Sequence, residues 1–134
     1  IISKKNIISL KATADHLTKN ENENAQLVGN VVADFFDDVG LHKSVLFSDS
    51  ASINETNNNF NAIGNVIVQS DSGFTLRTNE IYWDNNYKMV VSNDSVMFTT
   101  ENKDTLYGVG FESDMDLTNY KILKPAGVTY QAID

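Results

Sequence analysis

"LFSDSASINETNNNFNAIGNVIVQ", residues 46–69, is the stretch whose reading decides the fold. "ATADHLTKNENENAQLVGNVVAD", residues 12–34, can be laid over it. Asp15 then falls on Asp49, and after a one-residue gap Gly29-Asn30-Val31 coincides with Gly64-Asn65-Val66. A weaker third copy, "LRTNEIYWDNNYKMVVSNDSVMF", runs from Leu76 to Phe98, with Asn79 at the Asp position and Ser92-Asn93 near the Gly-Asn position. A period of roughly thirty residues is the range in which repeats mean stacked supersecondary units. Each unit reads as strand, acid-marked corner, strand, Asn-rich turn, strand, Gly-Asn corner, strand. One unit cannot cover its own apolar face, so stacked units should form two twisted sheets around a shared apolar interior.

The rest of the chain agrees with an all-β reading. "FTLRT" places Phe74, Leu76 and Thr78 on one face, "EIYWD" places Ile81 and Trp83 together with Tyr82 opposite, and "SVMFT" groups Val96 with Phe98. "YKMVV" is read as grouping Tyr87, Met89 and Val91. Residues 11–26 have some helix propensity, but no apolar stripe gives such a helix anything to pack against. The expected fold is therefore a jellyroll of repeated short antiparallel strands. Its inward face is assigned to Phe60, Val66, Val68, Phe74, Leu76, Trp83, Met89, Val91, Val96 and Phe98. Such a face forms either an ordinary sandwich core or a groove open to an apolar ligand, and periodicity does not separate the two.

Composition narrows the function. The chain of 134 residues is one domain by length, and 41% of it is hydrophobic, enough for a real core. The formal charge is -8, and Arg77 is the only arginine, which excludes groove binding to nucleic acid. The absence of cysteine excludes disulfides, thiolate metal sites and a Cys nucleophile. No window approaches 18 apolar residues. The chain opens on Ile1-Ile2 as a trimmed fragment would, and a signal or membrane anchor is expected ahead of it.

No catalytic signature is present: there is no GxSxG, HExxH or phosphate-cradling glycine loop, and His16 and His42 are far apart in polar segments. The densest segment is "LYGVGFESDMDLTNYKI", residues 106–122. Alternating Glu112, Asp114 and Asp116 suggest calcium, but the glycine of a calcium loop is missing at its offset, and Lys121 and Lys124 lie nearby. A solvated corner is the simpler reading. Gly108 and Gly110, like Gly29 and Gly64, are assigned structural roles, at a bulge or a close backbone approach. No metal and no cofactor is expected, and the protein is read as non-enzymatic.

Taken together, these motifs resemble the OstA/LptA-like superfamily of lipopolysaccharide-transport domains. Gly73 through Asp84 is similar to that superfamily's dG-x-x-L-x-T-d-x-L-x-W-d segment. Gly108-Val109-Gly110-Phe111-Glu112-Ser113-Asp114, with Leu117 and Asn119-Tyr120-Lys121-Ile122, looks like the C-terminal signature of the LptC family. The resemblance spans about Asp15 to Val128. It implies a V-shaped jellyroll in the periplasm, anchored to the inner membrane, whose interior carries the acyl chains of lipid A. It also implies edge-to-edge strand addition to LptA, with Tyr120, Ile122, Val128 and Tyr130 at that edge, and a partnership with the inner-membrane lipopolysaccharide ABC transporter. A soluble LptA-like bridge protein and a structural or adhesive β-repeat module without ligand stay open as alternatives.

Overall fold

A computed structural model describes residues 10–19 and 24–126. Nine strands follow one another: β1 (Leu10–Thr13), β2 (His16–Lys19), β3 (Asn24–Phe36), β4 (His42–Asn54), β5 (Asn59–Ser70), β6 (Thr75–Asp84), β7 (Met89–Thr99), β8 (Thr105–Ser113) and β9 (Tyr120–Ala126). All pair antiparallel in one sheet of order β1-β3-β4-β5-β6-β7-β8-β9, with β2 also on β3 beyond the end of β1. From β2 onward successive strands are neighbours, as short polar turns between period-2 segments require.

The strands are longer than the repeat suggested, because the Gly-Asn sites bend a strand without ending it. Register shifts fall at Val28/Val31, Phe47/Ser50, Ile63/Val66, Thr78/Tyr82 and Ser92/Ser95, forming a line of corners across the sheet. At two of them the repeat is reproduced in atomic detail. Gly29 and Asn30 both have positive φ (89° and 47°), as do Gly64 and Asn65 (92° and 47°). Glycine carries no Cβ penalty in that region, and Asn tolerates it better than most residues. Each Asn donates its side-chain N–H to the acid of its own repeat, Asn30 to Asp15 and Asn65 to Asp49, both at 2.9 Å. The "acid-marked corner" and the "Gly-Asn corner" are thus two sides of one clamp.

The corners divide the sheet into two leaves. Leaf one holds β1, residues 31–36, 42–47, 66–70, 75–78, 95–99, 105–109 and 124–126; leaf two holds β2, residues 24–28, 50–54, 59–63, 81–84, 89–92, 111–113 and 120–122. Along the unbent ladder Phe35 lies beside Ser44 and Ser70, so Phe60 would be roughly 30 Å away down β5 at ~3.3 Å per residue. Their rings are instead 5.8 Å apart, edge to face. The leaves are folded onto one another along the corner line, and the apolar interior lies between them.

The inward face of β7 departs from the sequence reading. Val90 is buried and pairs with Trp83, whereas Met89 and Val91 face outward, beside Asp84 and Tyr82. Three consecutive apolar residues carry no alternation, so either parity fits them until the register is known. β9 runs on through Pro125 to Ala126. A terminal strand tolerates a missing N–H.

Candidate functional site

One apolar cluster reaches across the whole sheet, drawing on every strand from β3 to β8, with Leu10 and Ala12 of β1 packed at one end and Ile122 of β9 at the other. Of the residues assigned inward, Phe60, Val66, Val68, Leu76, Trp83, Val96 and Phe98 are all buried in it, and Phe74 is packed partly against it. Aromatic rings fasten the leaves together: Phe35 lies 5.6 Å from Trp83, Phe98 lies 5.1 Å from Phe111, and Tyr120 sits 4.4 Å from Phe98. Side chains of the two leaves meet across the interior along the described strands.

The sequence reading missed several members of this wall. Leu27, Val31, Ala33 and Phe35 on β3 and Leu46 on β4 are buried, and alternation alone could have found Val31, Ala33 and Phe35. Phe111 was quoted only as part of a motif. Leu117 gives no periodic signal, yet it is fully buried.

Leu117 belongs to the loop 114–119 between β8 and β9, which answers the question of the clustered acids. Asp114 accepts from the backbone N–H of Thr118 (3.1 Å) and Asn119 (3.2 Å) and from the Asn119 amide (2.7 Å). Asp116 accepts from the Thr118 hydroxyl at 2.7 Å. The carboxylates are therefore the internal frame of a tight loop rather than a solvated corner, and the described residues contain no cluster of His, Cys, Asp or Glu arranged to hold a metal. Desolvation of Asp116 would raise its pKa, but hydrogen bonds from Thr118, hydrogen bonding with Asp114 and the charge of Lys43 together hold it below the ordinary value.

That loop crosses from leaf two to leaf one. The hydroxyl of Ser44, at the end of leaf one, donates to the carbonyl of Met115 at 3.0 Å, and Met115 packs against the core beside Leu117. The side of the interior opposite the corners is thereby stoppered by the chain itself.

His42 turns out to have carboxylate partners on both ring nitrogens: Asp71 at 2.7 Å on Nδ1 and Asp34 at 2.8 Å on Nε2. Both nitrogens can donate only as imidazolium. The hydrogen bonds His42 donates to Asp71 and Asp34 raise its pKa against a smaller opposing effect of burial. With both nitrogens occupied by carboxylates, it staples β3, β4 and the turn after β5 rather than serving as a base.

The sheet ends in two terminal edges among the described residues. At one, β9 pairs only with β8; at the other, β1 and β2 pair only with β3. Tyr120 and Ile122 lie on one face of β9, opposite Ser113 and Phe111 on β8; Ile122 packs against the core, and Tyr120, 37% exposed, lays its ring against Phe98. Gly108 lets β9 lie close, since a Cβ there would collide with Ile122 and come within 2.7 Å of the Lys124 carbonyl. Gly110 instead has positive φ (89°), so each of the two glycines has its own reason. Val128 and Tyr130 lie outside the described residues.

Comparison with known proteins follows the same lines. Residues 4–126 match the family described as OstA-like protein. The chain belongs to the OstA-like family. No curated protein matches it. Among solved structures, this OstA-like domain is similar to LptH, the LptA-homologous periplasmic component of the conserved lipopolysaccharide transport device from Pseudomonas aeruginosa. The TM-score is 0.70 at 13% identity, over 93% of this chain and 89% of that one. At that identity the likeness speaks for the fold: an LptA-like jellyroll, all antiparallel strands.

Proposed function

We propose that this OstA-like domain carries lipopolysaccharide in the periplasm, holding lipid A by its acyl chains between the two leaves and passing it from the inner-membrane ABC transporter towards LptA and the outer membrane. The observation that carries the reading is the continuous apolar cluster from β1 to β9, because an interior that reaches both sheet edges can continue into a neighbouring domain. Terminal strands expose unpaired N–H and C=O groups, an aggregation liability that becomes a docking surface when another jellyroll extends the sheet. Tyr120 and Ile122 are then the inward side chains nearest the junction with LptA.

Charge favours the tail as the handle. A chain at -8 with a single arginine offers an anionic headgroup little bidentate capture. Burial contributes ~0.8 kcal/mol per methylene, so an acyl chain of about a dozen methylenes supplies up to roughly 10 kcal/mol before ordering costs. The ligand enters as the leaves part and its methylenes replace contacts between the facing side chains. No bond is made or broken in such a task, so the domain acts without catalysis, and transport draws its energy from the transporter.

Photo-crosslinkers at Leu76, Trp83, Val90 and Phe98 should capture lipopolysaccharide, while crosslinkers at the outward Arg77 and Val91 should not. Equal labelling of the two faces would end the interior-carrier reading. The finer role is LptC-like, resting on the stretch from Gly108 to Ile122. Capture of LptA through β9 alone supports it, whereas self-pairing at both edges would make the domain an LptA-like bridge.

A further inference from the structure

The loop 114–119 does more than close a hairpin. It leaves leaf two after Ser113, reaches Ser44 on leaf one through the 3.0 Å bond to the Met115 carbonyl, and returns to leaf two at Tyr120. Leu117, at its far end, has φ of 63° and is fully buried. A left-handed conformation disfavours any branched L-residue, so burial of the side chain is what holds it there. The loop is stiff within itself, through Asp114 and Asp116, and is joined to leaf one by one hydrogen bond, two apolar side chains and the charge of Lys43 near Asp116.

Its surroundings leave it room. A hollow of ≈ 400 Å³ lies on the side of Asp37, Val39 and Lys43, and one of ≈ 580 Å³ lies on the side of Tyr87 and Met89. Charged side chains line much of both hollows, among them Asp37, Asp38, Lys43, Lys88, Glu112 and Lys121, and the rims also carry very exposed apolar side chains, Val39 at 79% and Tyr87 at 71%, with Leu41 at 59% in the same turn as Val39. Exposed apolar groups around a stoppered apolar interior are what an entrance for a hydrocarbon chain requires.

We propose that the loop 114–119 is a gate, in which Met115 and Leu117 plug the side of the interior opposite the corners and swing out as a unit to admit an acyl chain. This rests on the lipid-carrier reading and names where that ligand enters: between the leaves, past the lips at residues 37–41 and 85–88, and not only through the sheet edges. The plugging side chains stand in the closed state where the first methylenes of the ligand stand in the open one.

The test uses the whole chain, whose lack of cysteine makes introduced thiols unique. Trp83, its single tryptophan, is a donor buried in the interior. Uptake of cis-parinaric acid, a polyene fatty acid, is followed by energy transfer from Trp83. Bridging Asp38→Cys to Met115→Cys, which line the same hollow, with a short bis-maleimide should slow uptake by about tenfold or more, the equivalent of ~1.4 kcal/mol on the opening step. The same reagent across Ser52→Cys and Asn61→Cys, which face one another on β4 and β5, should leave the rate unchanged. Leu117→Gly, which removes the plug and suits the positive φ, should speed uptake. If the bridged mouth fills as fast as the unbridged one while the wild type still takes up the probe, the gate is wrong and the carrier reading survives. If no folded form, wild type included, shows transfer, the carrier reading falls and takes the gate with it.

Discussion

Gly40 and Gly64 allow the corner clamp to be weighed directly, because they share nearly the same backbone conformation in different surroundings. Their φ values are 88° and 92°. A Cβ added at Gly40 would meet nothing within 4 Å, so Gly40→Ala isolates the backbone cost, about 1–2 kcal/mol for an L-residue held left-handed. A Cβ at Gly64 would lie 2.7 Å from Asp49 Oδ2 and 3.0 Å from Asp49 Cβ. The carboxylate must turn away, giving up its 2.9 Å bond from Asn65, an exposed bond worth about 1 kcal/mol. Crowding against the Asp49 Cβ adds roughly 1 kcal/mol or more. Gly64→Ala should therefore cost about 3–4 kcal/mol, lowering Tm by roughly 10–15 °C in a domain of this size, against roughly 5 °C for Gly40→Ala. Urea unfolding followed by Trp83 fluorescence measures both. In an Asp49→Ala background the carboxylate contact is gone, and Gly64→Ala should cost at least about 1 kcal/mol less than in the wild type. Equal costs at Gly40 and Gly64, or strict additivity in the Asp49/Gly64 cycle, would refute the clamp.

Three further outcomes are expected. The pKa of His42 is raised in the fold by the hydrogen bonds of Asp71 and Asp34, so its stabilisation is complete below the unfolded value of about 6.5 and disappears as pH rises through the higher folded value. The Tm advantage of wild type over His42→Gln should accordingly shrink on going from mildly acid to alkaline pH. It should stay within about 1 kcal/mol, since the group is partly exposed. Val90→Ala should cost about 2 kcal/mol in urea unfolding, while Met89→Ala and Val91→Ala each cost under about 1 kcal/mol; the reverse order would restore the opposite parity of β7. Asp114→Ala should destabilise by about 1–2 kcal/mol through the lost frame of its loop, and Glu112→Ala by no more than about 0.5 kcal/mol, so that equal effects would return the acids to a solvated corner.

The corners and the all-β class were legible because they are local. A Gly-Asn pair in left-handed conformation and an acid that binds the Asn leave their signature in the residue types themselves, and repetition made the signature visible twice. The interior was legible wherever apolar and polar residues alternate, as in "FTLRT" and "EIYWD". It was misread at Met89, Val90 and Val91, where three apolar residues in a row make the parity depend on pairing with β6, which is not local. Leu117 was illegible for a stronger reason. It is an isolated leucine among acids and polar residues, and only the folding of one leaf onto the other puts an apolar pocket beneath it. The same holds for His42, whose partners Asp34 and Asp71 come from either side of it in sequence and meet only through the pairing of β3, β4 and β5.

The two long sides of the interior are built from different kinds of contact, and this decides where it can open. Along the corners, parting the leaves would strain the clamps Asp15–Asn30 and Asp49–Asn65 and the ladders on either side of each bend. At the opposite side, the crossing made by the loop consists of the Ser44–Met115 hydrogen bond, worth about 1 kcal/mol, the burial of Leu117, worth roughly 1.5–3 kcal/mol, and the partial burial of Met115. The crossing therefore amounts to about 3–4 kcal/mol, the contribution of four or five methylenes at ~0.8 kcal/mol each. A hydrocarbon chain has methylenes to spare for this step and still gains from the rest of the interior. A compact polar solute has none. In the proposed gate, the loop thus selects by the length of apolar chain a ligand can commit before any headgroup contact is made.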